Sequence, residues 1–269
     1  MIASFNLTHF DQVDESPDAR TFIEFLDARS GFAGERGVKE LEISMLAVAP
    51  GNVVLDVGCG TGDDVREVAG LVGPDGKVVG LDASCAMIDE SRKRASGSGL
   101  PVEFVLGDAY ALKFPDQSFD RARADRLFIH LQAPEKALAE MVRVLRPGGR
   151  IVVSDPDCDT IFVDSPKYET TRKVIHSVCD QSGSGMVGRE LPRLFRHAGL
   201  SNIACAPRVL TMDLTLMHRL FDGHLAEPAM AAMFAAGEID CWWQEAARAE
   251  AEGRLYAGVT VFTTVGEKM

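Results

Sequence analysis

The sequence lacks the patterns that are typical of a zinc site, a disulfide framework or a membrane span. Its six cysteines are scattered and include no C-x-x-C pair, which argues against both zinc and disulfides. No apolar run reaches the roughly 20 residues that cross a bilayer. The N-terminus shows no basic segment followed by an apolar one, so no secretory signal is evident. These absences predict a protein without membrane insertion, in the reducing cytoplasm.

Positive charge is also scarce. The 269 residues hold 28 Lys and Arg against 40 Asp and Glu, and no basic cluster is interleaved with aromatic residues. Tight non-specific binding to nucleic acid or to an anionic membrane depends on such clusters. We therefore expect a small-molecule substrate and no nucleic acid, with a basic protein substrate as a weaker alternative. The sequence does not decide the oligomeric state, and a homodimer is one option.

A glycine-rich motif near residue 58 is the most informative feature that the sequence does contain. Gly58, Gly60 and Gly62 follow an apolar run that carries Asp56. Such a run predicts a buried parallel strand, and the glycines allow a sharp turn and a close approach to a ligand. Apolar residues at helical spacing follow over 65–72. A strand, a glycine loop and a helix thus occur in series, as in a nucleotide-binding unit.

The charge at the start of this helix indicates which nucleotide fits. The helix begins with Asp63 and Asp64, and no Lys or Arg comes before Arg66. A dinucleotide would place its pyrophosphate there, where an anion benefits from free N–H groups and the helix dipole. In addition, Asp63 replaces the third glycine of the dinucleotide pattern G-x-G-x-x-G. A ligand with a positive centre and no phosphate fits better.

The motif resembles D/E-x-G-x-G-x-G, the first motif of the class I S-adenosylmethionine (SAM)-dependent methyltransferases. Asp56, Gly58, Gly60 and Gly62 match each of its fixed positions. Four later stretches resemble the family's later motifs in the expected order, at residues 77–82, 102–109, 114–120 and 145–153. The resemblance covers residues 40–155 closely and the flanks loosely.

The resemblance implies a Rossmann-like α/β fold: a doubly wound, mostly parallel seven-stranded sheet with an antiparallel last strand and helical cap insertions. The implied segments are an N-terminal helical segment covering the cofactor site, a SAM-binding core and a remainder that completes the sheet, at 1–50, 51–155 and 156–269. Substrate-covering helical insertions are expected at 156–200 and 213–252. Strands are predicted at 202–210 and 255–265.

The resemblance also implies which residues bind the cofactor. Asp82 would accept hydrogen bonds from the ribose hydroxyls, and Asp108 would accept one from the adenine amino group. Arg126 could meet the cofactor carboxylate or the substrate, with a structural salt bridge as the alternative, and Arg20 is a further candidate for that carboxylate. The expected cofactor-binding residues are Asp56, Gly58, Cys59, Gly60, Thr61, Gly62, Asp82, Ala83, Met87, Gly107, Asp108, Ala109, Asp125 and Arg126.

His130 is the candidate general base, because it lies just past the fourth predicted strand, where the methyl-donor face should open towards the substrate. A neutral imidazole there could take a proton from a hydroxyl or an amine. The alternatives are packing against the cofactor or a bond to a backbone carbonyl. The acidic stretch 155–159 invites a metal, but Pro156 and the lack of a second acidic cluster argue against one. We expect no metal, and a loop that lines the substrate pocket.

The predicted activity is methyl transfer from SAM, by in-line displacement, onto a small-molecule acceptor. The resemblance is strongest to the group that includes the ubiquinone and menaquinone C-methyltransferases, so a quinone-like compound or a secondary metabolite is expected. Three alternatives stay open at this point. They are a SAM-fold protein that catalyses a non-methylating reaction such as cyclisation, a nicotinamide-dependent oxidoreductase, and a regulatory module that binds protein.

Overall fold

The computed structural model describes residues 7–16, 18–29, 31–32 and 34–269. Positions 1–6, 17, 30 and 33 of the expected N-terminal segment lie outside the described residues. The strands of the described chain are β1 (Val53–Val57), β2 (Lys77–Asp82), β3 (Val102–Leu106), β4 (Phe119–Asp125), β5 (Leu145–Val163), β6 (Leu200–Thr211) and β7 (Ala257–Lys268).

Helices surround these strands on both sides and at one end. The α-helices of the described residues are α1 (Arg20–Arg29), α2 (Glu35–Leu46), α3 (Asp63–Val72), α4 (Cys85–Ala95), α5 (Pro134–Val144), α6 (Tyr168–Gln181), α7 (Val187–His197), α8 (Leu214–Leu225), α9 (Pro228–Ala231) and α10 (Glu238–Ala251). Two 3₁₀ helices cover Leu7–Glu15 and Phe128–His130. No helix in the described ranges is long and apolar enough to cross a membrane.

The strands form one sheet in the order β3-β2-β1-β4-β5-β7-β6. Strands β1 to β5 pair in parallel, whereas β7 is antiparallel to both of its neighbours, β5 and β6. This confirms the predicted seven-stranded doubly wound sheet with an antiparallel last strand. The strand order reverses between β1 and β4, and open sheets of this type bind ligands at the carboxyl ends of such strands.

Apolar packing on both faces fixes the position of β1. Val54, Leu55 and Val57 are fully buried. On one face of the sheet, Val54 belongs to the same apolar cluster as the buried stripe of α3, which includes Val65 and Val68. Leu55 and Val57 belong to the cluster of the opposite face, with α5. Each such side chain contributes about 1.5–3 kcal/mol on burial, so the end of β1 is a rigid base for the glycine loop.

One expectation about β5 is wrong. The strand continues to Val163, whereas helix and loop were expected from residue 156. The stretch 155–159, expected as a loop, is therefore strand. Strand β4 ends at the pairing of Asp125 with Ser154, so the rest of β5 pairs with β7 alone. Proline is tolerated in a strand that is paired on one side. The strand is hard to recognise in the sequence, because acidic residues interrupt it and because its partner, β7, lies about a hundred residues later.

After residue 163 the structure agrees more closely with the expected elements. Helix α7 ends at His197 and is followed by Gly199, whose φ of +77° is typical of the glycine that ends a helix. Both late strands lie where the sequence predicts them and are longer, at Leu200–Thr211 and Ala257–Lys268. Helices α8 to α10 fill residues 214–251 between them.

Candidate functional site

A cavity of about 810 Å³ opens at the carboxyl ends of β1 and β4, next to the N-terminal helical segment. The structure brings together at this cavity His130 and every residue expected to bind the cofactor except Gly62 and the further candidate Arg20. The predicted residues that line it are Asp56, Gly58, Cys59, Gly60, Thr61, Asp82, Ala83, Met87, Gly107, Asp108, Ala109, Asp125, Arg126 and His130.

The glycine loop between β1 and α3 requires its glycines. Gly58, Gly60 and Gly62 have φ angles of +74°, +53° and +73°, in the left-handed region that favours glycine. A Cβ on Gly62 would lie 2.6 Å from the ring of Phe104. At Gly58 a Cβ would lie 3.0 Å from Leu127, which lines the cavity. The loop thus brings its backbone, rather than side chains, to the cavity.

Asp82 connects this loop to the end of β2. One carboxylate oxygen accepts a hydrogen bond from Gly60 N at 2.9 Å, and the other accepts one from Ser84 N at 2.9 Å. Burial raises the pKa of Asp82, and the two backbone donors oppose that rise. At the end of β3, the exposed Asp108 accepts a hydrogen bond from Tyr110 N at 2.8 Å. Both predicted acids face the cavity edge.

Arg123 is a buried residue of this region that the sequence analysis missed. It lies on β4, is 2% exposed and donates to three carboxylates. The distances are 2.7 Å from Nη1 to Asp56, 2.9 Å from Nη2 to Asp64 and 2.8 Å from Nε to Glu42. The carboxylates belong to β1, α3 and α2, so a single guanidinium joins three elements around the glycine loop.

Burial and charge act in opposite directions on these carboxylates. Burial raises the pKa of Glu42 to about 7 and that of Asp56 to about 6, although Arg123 lowers both. Asp64 differs, because Arg123 and Lys39 together outweigh its burial and hold its pKa below the usual range. Oε2 of Glu42 is buried without a hydrogen-bond partner among the described residues.

A second group of charges lies beside Arg123, around Asp125. Asp125 Oδ2 accepts from Lys39 at 2.5 Å and from Arg29 at 2.9 Å. Arg126 donates to both oxygens of Glu35, at 2.8 and 2.7 Å, and to Asp125 at 3.2 Å. Arg126 therefore forms the structural salt bridge that was its alternative, while still lining the cavity. Oδ1 of Asp125 is buried without a hydrogen-bond partner in the described part of the chain.

The structure places Arg20, the further candidate for the cofactor carboxylate, away from the cavity. Its side chain is 85% exposed and pairs with Asp18. Arg29 and Lys39, from the same N-terminal segment, line the cavity instead. The sequence gives one sign of such a cluster. Glu35 and Glu42 fall on the buried face of α2, where an acid has to be paired.

His130 ends the short 3₁₀ helix after β4, and buried polar contacts hold that turn. Asp155 accepts hydrogen bonds from Phe128 N at 3.2 Å and Ile129 N at 3.0 Å. Ser184 donates its backbone N–H to Ile129 O at 2.9 Å and its hydroxyl to Leu131 O at 2.7 Å. The loop 182–185, whose alternating serines and glycines are typical of a flexible segment, is thus hydrogen-bonded to the turn that carries His130.

One part of the cavity wall is uncharged. The residues that β5, α6, α8 and β7 contribute to it are Pro156, Cys158, Ile161, Val178, Leu220, Phe221 and Val259. Uncharged polar side chains in the wall include Tyr110, Gln132 and Ser182. By contrast, nine acidic and five basic side chains line the cavity as a whole. No group of three or more His, Cys, Asp or Glu in the described residues could hold a metal ion.

Comparisons with known proteins agree with this geometry. A sequence model for a family described as a methyltransferase domain matches residues 49–217. An uncharacterized 37.1 kDa protein in transposon Tn4556 of Streptomyces fradiae is 34% identical over 259 residues, which cover 91% of this chain and 71% of that protein.

Two further similarities extend the comparison. A ubiquinone/menaquinone biosynthesis C-methyltransferase of Ectopseudomonas mendocina is 42% identical over 117 residues, 43% of this chain and 46% of its own. The chain thus matches about half the length of that relative. The crystal structure of the YcgJ protein from Bacillus subtilis has the same fold, with a TM-score of 0.63 at 18% identity over 87% of this chain and 98% of that one.

The glycine loop, the strand order and the family match, which spans more than half of the sequence, lead to one conclusion. The cofactor is S-adenosylmethionine, and the chain belongs to the class I SAM-dependent methyltransferases.

Proposed function

We propose that this protein transfers the methyl group of SAM to a small, uncharged and largely apolar acceptor, such as a quinone-like compound or a secondary metabolite. The observation that carries the proposal is the composition of the wall of one cavity. Helices α1 to α3 and the ends of β1 to β4 contribute its charged side chains, whereas β5, α6, α8 and β7 contribute uncharged residues. A site of this kind suits a charged donor and a neutral acceptor.

Residues in the charged part of the wall would bind the separate parts of SAM. Asp82 would accept the ribose hydroxyls, and Gly107, Asp108 and Ala109 would contact the adenine. A Cβ on Gly60 would come within 3.0 Å of Leu26 of α1, so the gap between loop and helix depends on a glycine. The ammonium and carboxylate of the methionine part need both signs of charge nearby, which the cluster around Asp125 provides.

The balance of charge favours SAM over a phosphate-bearing cofactor. Nine acidic side chains against five basic ones leave the cavity wall negative, which favours a cation and disfavours a pyrophosphate. At the start of α3, Arg66 is engaged by the backbone oxygen of Thr61 and by Asp63. The alternative of a nicotinamide-dependent oxidoreductase is therefore disfavoured.

SAM supplies an electrophilic methyl group on a positively charged sulfur. The part of the protein is to hold the acceptor in line with that methyl and away from water. The apolar wall from β5, α6 and α8 would bind the body of the acceptor and exclude water. Where the accepting atom carries a proton, an imidazole nitrogen of His130 would receive it. Asp155 would hold the turn in position for that transfer.

The test uses methyl-labelled SAM and two acceptors that differ by one carboxylate group. We choose 1,4-dihydroxynaphthalene and its 2-carboxylate as the pair. Label transfer to the neutral compound, at a kcat/KM at least tenfold above that of the carboxylate, would support the proposal. Transfer to the carboxylate alone would refute the uncharged acceptor. A thermal-shift titration that shows no stabilisation by SAM or S-adenosylhomocysteine, or an equal effect of NAD, would refute the cofactor site.

A further inference from the structure

The two ends of the glycine loop meet at one side chain. Asp56 lies in β1 just before the loop, and Asp64 lies in the first turn of α3 just after it. Arg123 donates to Asp56 through Nη1 at 2.7 Å and to Asp64 through Nη2 at 2.9 Å. The separation of the loop's two ends is thus set by the width of one planar guanidinium.

The other fixed contacts of the loop come mainly from the opposite side. Gly58 N and Cys59 N both donate to Leu81 O, at 2.7 and 3.0 Å, and Gly60 N donates to Asp82. These bonds tie the loop to β2 and its end. Strand β4, on the other side of β1, holds the loop through Arg123, whose Cα is the cross-strand partner of Asp56.

We propose that Arg123 is a positioning residue of the cofactor site, which clamps both ends of the glycine loop so that its backbone is preorganised for SAM. The proposal rests on the cofactor position proposed above. It assigns Arg123 no contact with the reacting atoms. Its effect reaches the cofactor through Asp56, Asp64 and the loop between them.

The chemistry of the side chain explains why arginine is required. A guanidinium presents a rigid fork of donors and can engage two carboxylates in fixed directions, whereas the ammonium of lysine is a single point charge. The buried cluster also contains Glu42, and burial already raises the pKa of Glu42 and Asp56 despite Arg123. Arg123→Met would leave these carboxylates without compensation and could prevent folding. Arg123→Lys keeps the charge and removes the fork.

The experiment compares three single variants of the full chain. Arg123→Lys and Asp64→Asn each break the clamp at one point. Arg121→Lys is the matched control, since Arg121 lies two residues earlier on β4 and donates to Ala47 O and Asp120 O rather than to the loop. The measurements are amide hydrogen exchange of a peptide covering residues 57–63 without ligand, calorimetric binding of S-adenosylhomocysteine, and the melting temperature.

We expect faster exchange of residues 57–63 in Arg123→Lys and Asp64→Asn, and a Kd for S-adenosylhomocysteine raised about ten- to hundredfold, as for loss of a charged hydrogen bond. Because both variants break the same clamp, the double variant should bind S-adenosylhomocysteine no more weakly than the weaker-binding single variant. Arg121→Lys should keep the wild-type exchange and a Kd within about twofold, the range expected of a neutral surface change.

A purely structural role would give a different result. If both clamp variants melt at a lower temperature but keep wild-type loop exchange and wild-type affinity, the proposal is wrong. An equal loosening of the loop in Arg121→Lys would also overturn it, because the effect would then belong to β4 as a whole. If the wild type fails to bind S-adenosylhomocysteine, the proposed cofactor position fails, and the exchange comparison still decides whether Arg123 clamps the loop.

Discussion

Replacing Gly62 by alanine tests whether close packing, and not backbone conformation alone, requires a glycine before α3. Gly62 has a φ of +73°, and a Cβ there would lie 2.6 and 2.8 Å from two ring atoms of Phe104 and 3.1 Å from Ser91 Oγ. Gly237, which precedes α10 as Gly62 precedes α3, has the same φ of +73° in the left-handed region and nothing within 4 Å of its Cβ position. Comparing alanine variants at these two positions therefore separates the cost of backbone strain from the cost of steric overlap.

The magnitudes follow from these surroundings. The left-handed conformation costs an alanine about 1–2 kcal/mol at either position. Overpacking adds about 1–3 kcal/mol at Gly62, because Phe104 is itself buried against Val65 and Ile88 and cannot move freely. We therefore expect Gly237→Ala to lower the free energy of unfolding by about 1–2 kcal/mol and Gly62→Ala by about 2–5 kcal/mol.

The assay is equilibrium urea unfolding of both variants, followed by calorimetric binding of S-adenosylhomocysteine. Ser91 donates to Gly60 O at 2.7 Å, so a displaced Ser91 disturbs the loop as well. Gly62→Ala should therefore weaken cofactor binding, whereas Gly237→Ala should not. Equal losses of stability in the two variants, with equal affinities, would refute the argument. Phe104 would then have moved aside at no cost in free energy.

Three further predictions concern single side chains. Asp82→Ala should raise the Kd for SAM about ten- to hundredfold, because charged hydrogen bonds are lost. The control Asp89→Ala, on the exposed side of α4, should leave the Kd unchanged. Equal affinities of the two variants would contradict the ribose assignment. Because burial raises the pKa of Glu42 from 4.5 to about 7, the folded state holds a proton that the unfolded chain releases. The wild type should lose stability in urea as the pH rises from 5 to 7, and Glu42→Gln should reduce that slope; identical slopes would contradict it. With an acceptor whose nucleophile must be deprotonated, His130→Gln should lower kcat about a hundredfold and leave the KM for SAM unchanged; an unchanged kcat would exclude the base.

The glycine loop could be predicted from the sequence because its requirements are local. Every second residue of the loop has a positive φ angle, and glycine occupies each of these positions, Gly58, Gly60 and Gly62. Asp82 could be placed for a similar reason. It ends a predicted strand, and parallel strands bring their carboxyl ends to one edge of the sheet. Motif order alone was enough to gather almost all of the expected residues around one cavity.

The charged cluster could not be predicted in this way, because its members are distant in the sequence. Arg123 is separated from Asp64 by 59 positions and from Glu42 by 81. In β4 the alternation of charged and small residues resembles a strand with one solvent-exposed face. The sheet instead places β4 at its centre, where helices cover both faces. An arginine in such a strand has to be paired, and that condition becomes visible when the strand order is known.

Net negative charge, more than shape, is the property that the sequence and the site have in common. The excess of acidic residues that argues against nucleic acid recurs in the cavity wall, where nine carboxylates outnumber five cations. Buried ion pairs are a poor source of stability, since desolvation offsets most of their attraction. An apolar filling behind the glycine loop would serve folding at least as well. That Arg123, Asp56 and Asp64 lie there instead is best explained by the need for a rigid loop beside a cationic donor.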